Sequence, residues 1–407
     1  MRATTAHLHL PFFDPVHREI GNCLADWLPR QTVDESDDRA ACRAWVKLLG
    51  ANQWLRYCVK AEHGGALPQL DSRALVILRE NLAFHSALAD FAFAMQGLGS
   101  GAITLAGSPE LQAQYLPAVA CGEKIAAFAL SEPDAGSDVA AMSTIAIKSV
   151  AVGAYSTGLN AKNAYEISGE KTWISNGGIA DFYVVFAKTQ PELGTRGISA
   201  FVVDAPSPGL DDNEHIEVMA PHPLATLRFA HCAVPAAHLL GEENAGFKLA
   251  MQTLDIFRAS VAAAALGMAR RALCEAVHYA QTRQMFKQRL ADFQLTQAKL
   301  GEMAALIDAG ALLTYRAAWM RDVALPAGTA SRADYTAAAA MAKMTATENA
   351  SRVIDMALQM HGGMGVKVGN KIEHLYRDIR SLRIYEGATE VQQLIIGKSV
   401  LAASPTP

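Results

Sequence analysis

The sequence predicts a mainly α-helical protein with a β domain in the middle, and three textures along the chain predict it. Up to about residue 124, apolar residues recur at helical spacing; from 125 to 239 the period shifts towards two. From 240 onward the chain returns to long helices rich in Ala, Leu and Met. A chain of 407 residues is too long for one ordinary core. The textures are therefore read as three domains, 1–124, 125–239 and 240–407.

In the first region Leu75, Leu78, Leu82 and Ala83 share a helical face. Ser108-Pro109-Glu110 reads as a helix start, and Gly64-Gly65 followed by Pro68 as a turn. In the second, Tyr165-Glu166-Ile167 leads through Ser168-Gly169-Glu170 into Lys171-Thr172-Trp173-Ile174-Ser175 and the turn Asn176-Gly177-Gly178. Phe182 to Ala187 and Ile198 to Val203 are further β-rich runs, and the insertion suits a small barrel or sandwich. In the third, Phe247–Tyr279, Gln294–Val323, Ala333–His361 and Thr389–Leu401 make four helices, which fit a bundle.

Composition excludes several classes of function. The net charge is −4 and Lys and Arg are scattered, so there is no basic footprint for nucleic acid. The six cysteines form no C-x-x-C pair and read as isolated buried thiols of a reducing compartment. No residue set is assigned to a metal. The opening MRATTAHLHLPFFDP lacks an apolar run suited to a signal peptide. The longest apolar stretch, Val261 to Met268, is far below the roughly 18 residues that span a bilayer. The expectation is a cytoplasmic protein without a membrane segment.

Three stretches carry chemistry. Phe128 to Asp138 packs Pro133, Gly136, two serines and three acids into one turn-rich loop. Gly136 would let backbone approach a ligand, and Ser131 and Ser137 offer hydroxyls; a well-capped surface loop is the plainer reading. Gln359-Met-His-Gly-Gly-Met-Gly365 ends a long helix. Its Gly362 and Gly363 serve either as a helix stop or as a platform for a nucleotide, in a pattern that is neither a P-loop nor a Rossmann fingerprint. Finally, Glu386 lies between Ile384-Tyr385 and Gly387, just before a new helix. A carboxylate facing an apolar cavity has its charged form disfavoured, which makes it a better general base. Glu390 has a plainer role as an acid in a helix first turn.

Together LSEPDAGSD, QMHGGMG and IYEGATEVQQLIIGK resemble the signature segments of the acyl-CoA dehydrogenase family, in order and across nearly the whole chain. The resemblance implies an N-terminal helical domain, a middle β domain and a C-terminal four-helix bundle. It implies FAD between the last two, a site completed by a neighbouring subunit, and a homotetramer or homodimer. Leu130, Ser131, Trp173 and Ser175 would border the flavin ring and its ribityl-phosphate side. Arg283, Phe286, Gln294, Gln359, Gly362 and Gly363 would meet the FAD of a partner subunit, and Ala388, Thr389 and Glu390 would lie along the cofactor. On the substrate side stand Ser137, Asp255, Arg258, Tyr385 and Gly387. Glu386 would take the α-proton of an acyl-CoA while the β-hydrogen leaves as hydride to FAD, giving a trans-2-enoyl-CoA. The Glu386 N–H and a ribityl hydroxyl would hold the thioester oxygen, and electron-transfer flavoprotein would accept the electrons. Plainer readings stand beside three of these: Arg283 as a solvated helix arginine, Trp173 as β core, and Asp255–Arg258 as an i,i+3 helix pair.

The chain also departs from the family pattern. Lys287 stands where glycine is usual, Gly369 where an acid is, Val366 where an aromatic is, and Ala388 where threonine is common. Some relatives keep the base at the position of Phe257, which cannot accept a proton, and this strengthens Glu386. Phe91, Phe93 and Met95 are either plain core or the floor of the acyl pocket; with Phe257 they point to a short, branched or cyclic acyl group. The alternatives are an oxidase using O2 on the same scaffold, a catalytically silent flavin- or acyl-CoA-binding protein, and another thioester-linked elimination.

Overall fold

Side-chain caps set where the early helices begin. Ser108 accepts from the Leu111 N–H at 3.3 Å with Pro109 in the first helical position, so a helix starts where the sequence predicts. Asp37 and Asp71 cap the helices that follow them in the same way. The computed structural model describes residues 1–149 and 164–403.

The helices before the sheet are α1 (Pro15–Trp27), α2 (Asp38–Ala51), α3 (Ser72–His85), α4 (Ala87–Ala106) and α5 (Pro109–Cys121). The strands are β1 (Ala126–Ala129), β2 (Ile145–Lys148), β3 (Ala164–Ser175), β4 (Phe182–Lys188), β5 (Ile198–Asp204), β6 (Leu210–His215) and β7 (Leu224–Pro235). Then come α6 (Gly246–Thr282), the short β8 (Gln284–Met285) and β9 (Gln288–Arg289), α7 (Gln294–Trp319), α8 (Arg332–His361), α9 (Lys371–Leu382) and α10 (Thr389–Ala403). This is the order expected from the textures: helices, a middle sheet, helices.

The chain forms two units. One comprises Val33–Leu70 and Phe91–Leu254. Its strands make a curled seven-stranded sheet in the order β1-β4-β2-β3-β7-β6, with β5 on β4. Apart from their last residues, β4 and β5 are buried along their length, which is why they read as continuous apolar runs and not as alternation. Gln96 of α4 ties the first strand down, donating to the Lys124 carbonyl and accepting from the Ala126 N–H.

The other unit comprises Met1–Thr32, Asp71–Asp90 and Asp255–Pro407. Here α7 packs on α8, and α8 on α9 and α10. The sequence count of four helices lacks α9, whose Asn370 cap and buried Ile372, Leu375, Ile379 and Leu382 make an amphipathic helix. A glycine lets α6 approach α3: a Cβ on Gly267 would lie 2.1 Å from the Glu80 carbonyl oxygen. Past the end of α7, a π-helical turn (Met320–Ala324) aims Asp322 at the start of α3, where it accepts from the Ser72 and Arg73 N–H groups.

One expectation gains detail and another changes in part. By length and composition α6 could cross a bilayer, which the uninterrupted run Val261–Met268 does not reveal; however, 78% of its apolar window is buried inside the protein. Of the cysteines, Cys42, Cys58 and Cys232 are buried as expected, whereas Cys23, Cys121 and Cys274 are exposed.

Candidate active site

Glu386 stands in the turn between α9 and α10, in a backbone conformation that side chains avoid. Its φ is 53° and that of Gly387 is 92°. For a residue with a Cβ the left-handed region costs about 1–2 kcal/mol, so neighbouring groups must hold it. The Gly387 carbonyl accepts from Lys343 Nζ at 2.6 Å and from Gln392 Nε2 at 2.9 Å. On either side Glu348 braces the turn, accepting from Arg383 Nε at 2.8 Å and from the Thr389 hydroxyl at 2.6 Å. The sequence reading singled out none of Lys343, Glu348 and Gln392; the first two sit in α8, whose Ala-rich pattern gives no sign of a polar task, and Gln392 lies in the segment after Glu386 without a role of its own.

A side chain on Gly387 would meet Gln392 Nε2 at 2.4 Å, at a φ that already disfavours it. Gly387→Ala is therefore expected to lower the melting midpoint of the FAD-free protein by several degrees, on the basis of about 2–4 °C per kcal/mol for a domain of this size. An unchanged midpoint would show that the turn does not need glycine.

The Glu386 side chain is half-buried, yet its Oε2 is enclosed and has no hydrogen-bond partner. Burial raises its pKa above the ordinary carboxylate value, against the opposing pull of Arg79, Lys343 and Arg258 and with a further push from Asp90. Two of those cations already hold a carboxylate. Arg79 grips both oxygens of Asp90 at 2.8 Å and reaches the Ser260 hydroxyl. Arg258 bonds Asp255 at 2.8 Å, so the i,i+3 pair exists, and Asp255 also accepts from Thr336. The result is a carboxyl group with raised proton affinity and a free lone pair, as a general base requires.

In the unit that carries the sheet, the 128–138 loop hangs from Glu132. This buried carboxylate accepts from Lys171 Nζ at 2.7 Å, from the Ser143 N–H and hydroxyl, and from the Thr144 N–H. Burial pushes its pKa up, but the Lys171 charge and these bonds bring it down to about 2. Burial lowers Lys171 to about 8 against the pull of Glu132. Both are thus ionised at neutral pH. Lys171 Nζ also bonds the Leu130 carbonyl, and the Thr172 N–H bonds the Ser131 carbonyl. That bond brings Leu130 and Ser131 beside Trp173. Trp173 is 59% exposed at φ 59°, in a register shift of the β3–β7 pairing, so it is not a core side chain. Ser175 is half-buried, Ser137 is exposed, and a Cβ on Gly136 would meet nothing within 4 Å.

The remaining candidates lie in the helical unit. Arg283, Phe286 and Gln294 are exposed. Phe286 and Lys287 form the two-residue turn between β8 and β9, with φ of 47° and 65°. Such a hairpin turn needs both φ positive, so Lys287 takes the left-handed backbone that the family's usual glycine would take without strain. Gln359, Gly362 and Gly363 are exposed at the end of α8, and a Cβ on either glycine would meet nothing within 4 Å. Tyr385, Ala388 and Thr389 are half-buried, and Glu390 is exposed in the first turn of α10. Phe257 is fully buried. Of the acyl-pocket candidates in the other unit, Phe93 and Met95 are buried, while Phe91 packs its ring 4.7 Å from that of His222.

Family models described as acyl-CoA dehydrogenase N-terminal, middle and C-terminal domains match residues 19–123, 127–232 and 244–401. A 3-(aryl)acrylate reductase of Clostridium sporogenes is 36% identical over 96% of this chain and 100% of its own. The caffeyl-CoA reductase-Etf complex subunit CarC of Acetobacterium woodii is 37% identical over 81% of this chain and 83% of its own. The structure of butyryl-CoA dehydrogenase from Megasphaera elsdenii superposes with a TM-score of 0.84 at 30% identity, covering 96% of this chain and 99% of that one.

Proposed function

The chain belongs to the acyl-CoA dehydrogenase family of FAD-dependent oxidoreductases acting on CH–CH bonds, and from that premise we propose that Glu386 is the base that takes the α-proton of its acyl-CoA substrate. The observation that carries this is the enclosed, unpartnered Oε2 of Glu386 together with its raised pKa. The Glu386 N–H would hold the thioester oxygen as negative charge develops there. Asp255, Arg258 and Ser137 are the proposed substrate contacts, with Tyr385 and Gly387 walling the acyl chain.

The residues present fit FAD. Exposed Trp173 and Phe286 offer aromatic faces, and Arg283 is the permanently charged fork suited to a pyrophosphate. Gly136 and Gly363 leave open backbone that no packing among the described residues and no left-handed φ explains, and Gly362 is equally open. With Leu130, Ser131, Ser175, Gln294, Gln359, Ala388, Thr389 and Glu390 these are the proposed cofactor contacts. When bound, FAD supplies the hydride acceptor for the β-hydrogen.

The fuller proposal is a cytoplasmic homotetramer that passes electrons to electron-transfer flavoprotein; cell fractionation, sedimentation and acceptor assays test its three parts. For the acyl group we propose a compact one, because Phe257 fills its fully buried position with a ring. Anaerobic addition of straight, branched and aryl acyl-CoA thioesters is expected to bleach the flavin fastest with compact acyl groups. Fastest bleaching by a long straight chain would overturn that choice. Repeating the titration in air with a peroxide assay measures how much electron flow reaches oxygen.

A further inference from the structure

We propose that Lys343 is a positioning residue for the reaction: its ammonium clamps the base-bearing turn at the Gly387 carbonyl and is one of the cations that favour the ionised form of Glu386. This rests on Glu386 being the base. Lys343 is 0% exposed in the middle of α8, and among the described residues it has no carboxylate within ion-pairing distance. A buried ammonium without a carboxylate is costly to keep, so its one strong contact matters. That contact is the Gly387 carbonyl at 2.6 Å, immediately after Glu386.

Gln392 completes the clamp. It is fully buried, and its Nε2 reaches the Gly387 oxygen at 2.9 Å and the Glu386 oxygen at 3.5 Å. Together the two side chains fix both carbonyls of a turn whose backbone is left-handed at two successive residues. Held this way, the Glu386 N–H and carboxylate keep one orientation, and small misplacements of such groups are costly to rate.

The charge environment separates Lys343 from the other cations. Facing Glu386 are Arg79 from α3, Asp90 from α4 and Arg258 from α6. Arg79 is matched by Asp90 and Arg258 by Asp255. Facing Lys343, besides Glu386 and Arg258, are Glu348 of its own helix and Glu390 of α10. Burial lowers the Lys343 pKa to about 8, and Glu386 is the largest influence opposing that fall.

The test compares the holoenzyme with Lys343→Met, which keeps the length and removes the charge, and with Gln392→Leu, which loosens the clamp without changing charge. Lys343→Met is expected to slow anaerobic flavin reduction by about 10–100-fold with little change in KM. It should also move the acid limb of the pH profile to higher pH, because a carboxylate that loses a nearby cation binds its proton more tightly. Gln392→Leu should slow reduction and leave the acid limb in place. Melting of the FAD-free proteins reports whether each variant folds. An unmoved acid limb in folded Lys343→Met, or an equal shift in both variants, would overturn the assignment. If Lys343→Met does not fold, the decision falls to Gln392→Leu, where full rate would remove the clamp. Glu386→Gln run alongside separates the layers: if it still reduces flavin, the base assignment itself is lost, whereas its inactivity beside an unaltered Lys343→Met removes this inference alone.

Discussion

Glu386→Gln should purify with its flavin, bind acyl-CoA, and fail to bleach when the thioester is added anaerobically. The substitution keeps the volume and removes the basic oxygen, so the loss is that of a general base, about 10²–10⁴-fold in the rate of flavin reduction. Burial is the main reason the Glu386 pKa lies above the ordinary carboxylate value. The wild-type rate should therefore rise with pH through that raised pKa, as the carboxyl group loses its proton, while the variant's residual rate should lack this limb. Stopped-flow absorbance of the oxidised flavin measures both. Reduction within tenfold of wild type, at all pH values, would sink the assignment.

The second large effect is on stability. Lys171→Met leaves Glu132 ionised and buried without its cation, which is expected to destabilise the sheet unit by about 3–5 kcal/mol. The pH dependence follows from the sign of the shift. Because Glu132 is held near 2 in the folded protein, well below its unfolded value, its contribution is present above the unfolded pKa and disappears as pH falls towards 2. The gap between wild type and Lys171→Met should therefore be widest at neutral pH and narrow in acid. Adding Glu132→Gln to the variant should recover part of the loss at neutral pH. Denaturant midpoints across that range give the answer, and equal midpoints for wild type and Lys171→Met at pH 7 would show that the 128–138 loop does not hang from this pair.

Much of the architecture was legible because local rules act locally. The Ser108 cap, the Asn176-Gly177-Gly178 turn and the β4 and β5 runs are written in residue type and spacing. The helix α9 is legible too, in the stripe Ile372, Leu375, Ile379 and Leu382 at helical spacing, although the count of four helices passes over it. Glu386 stood out because an acid beside Ile384-Tyr385 and before glycine is odd for a plain helix start. What surrounds it was not legible. Arg79, Lys343 and Glu348 come from α3 and α8 and are brought to the turn by tertiary packing alone, while Gln392 reaches back from the helix that follows the turn. Likewise, nothing in Lys171-Thr172-Trp173 announces that the lysine is buried and the tryptophan exposed; a register shift in the sheet decides that.

The backbone of residue 386 also bears on how such a protein can change over time. Glycine would sit in that left-handed site without strain, so drift towards thermal endurance alone would favour it there. With Glu386 as the proposed base, every step in that direction would silence the molecule. An active lineage must therefore carry the discomfort of this one position and make up for it in the helices beneath.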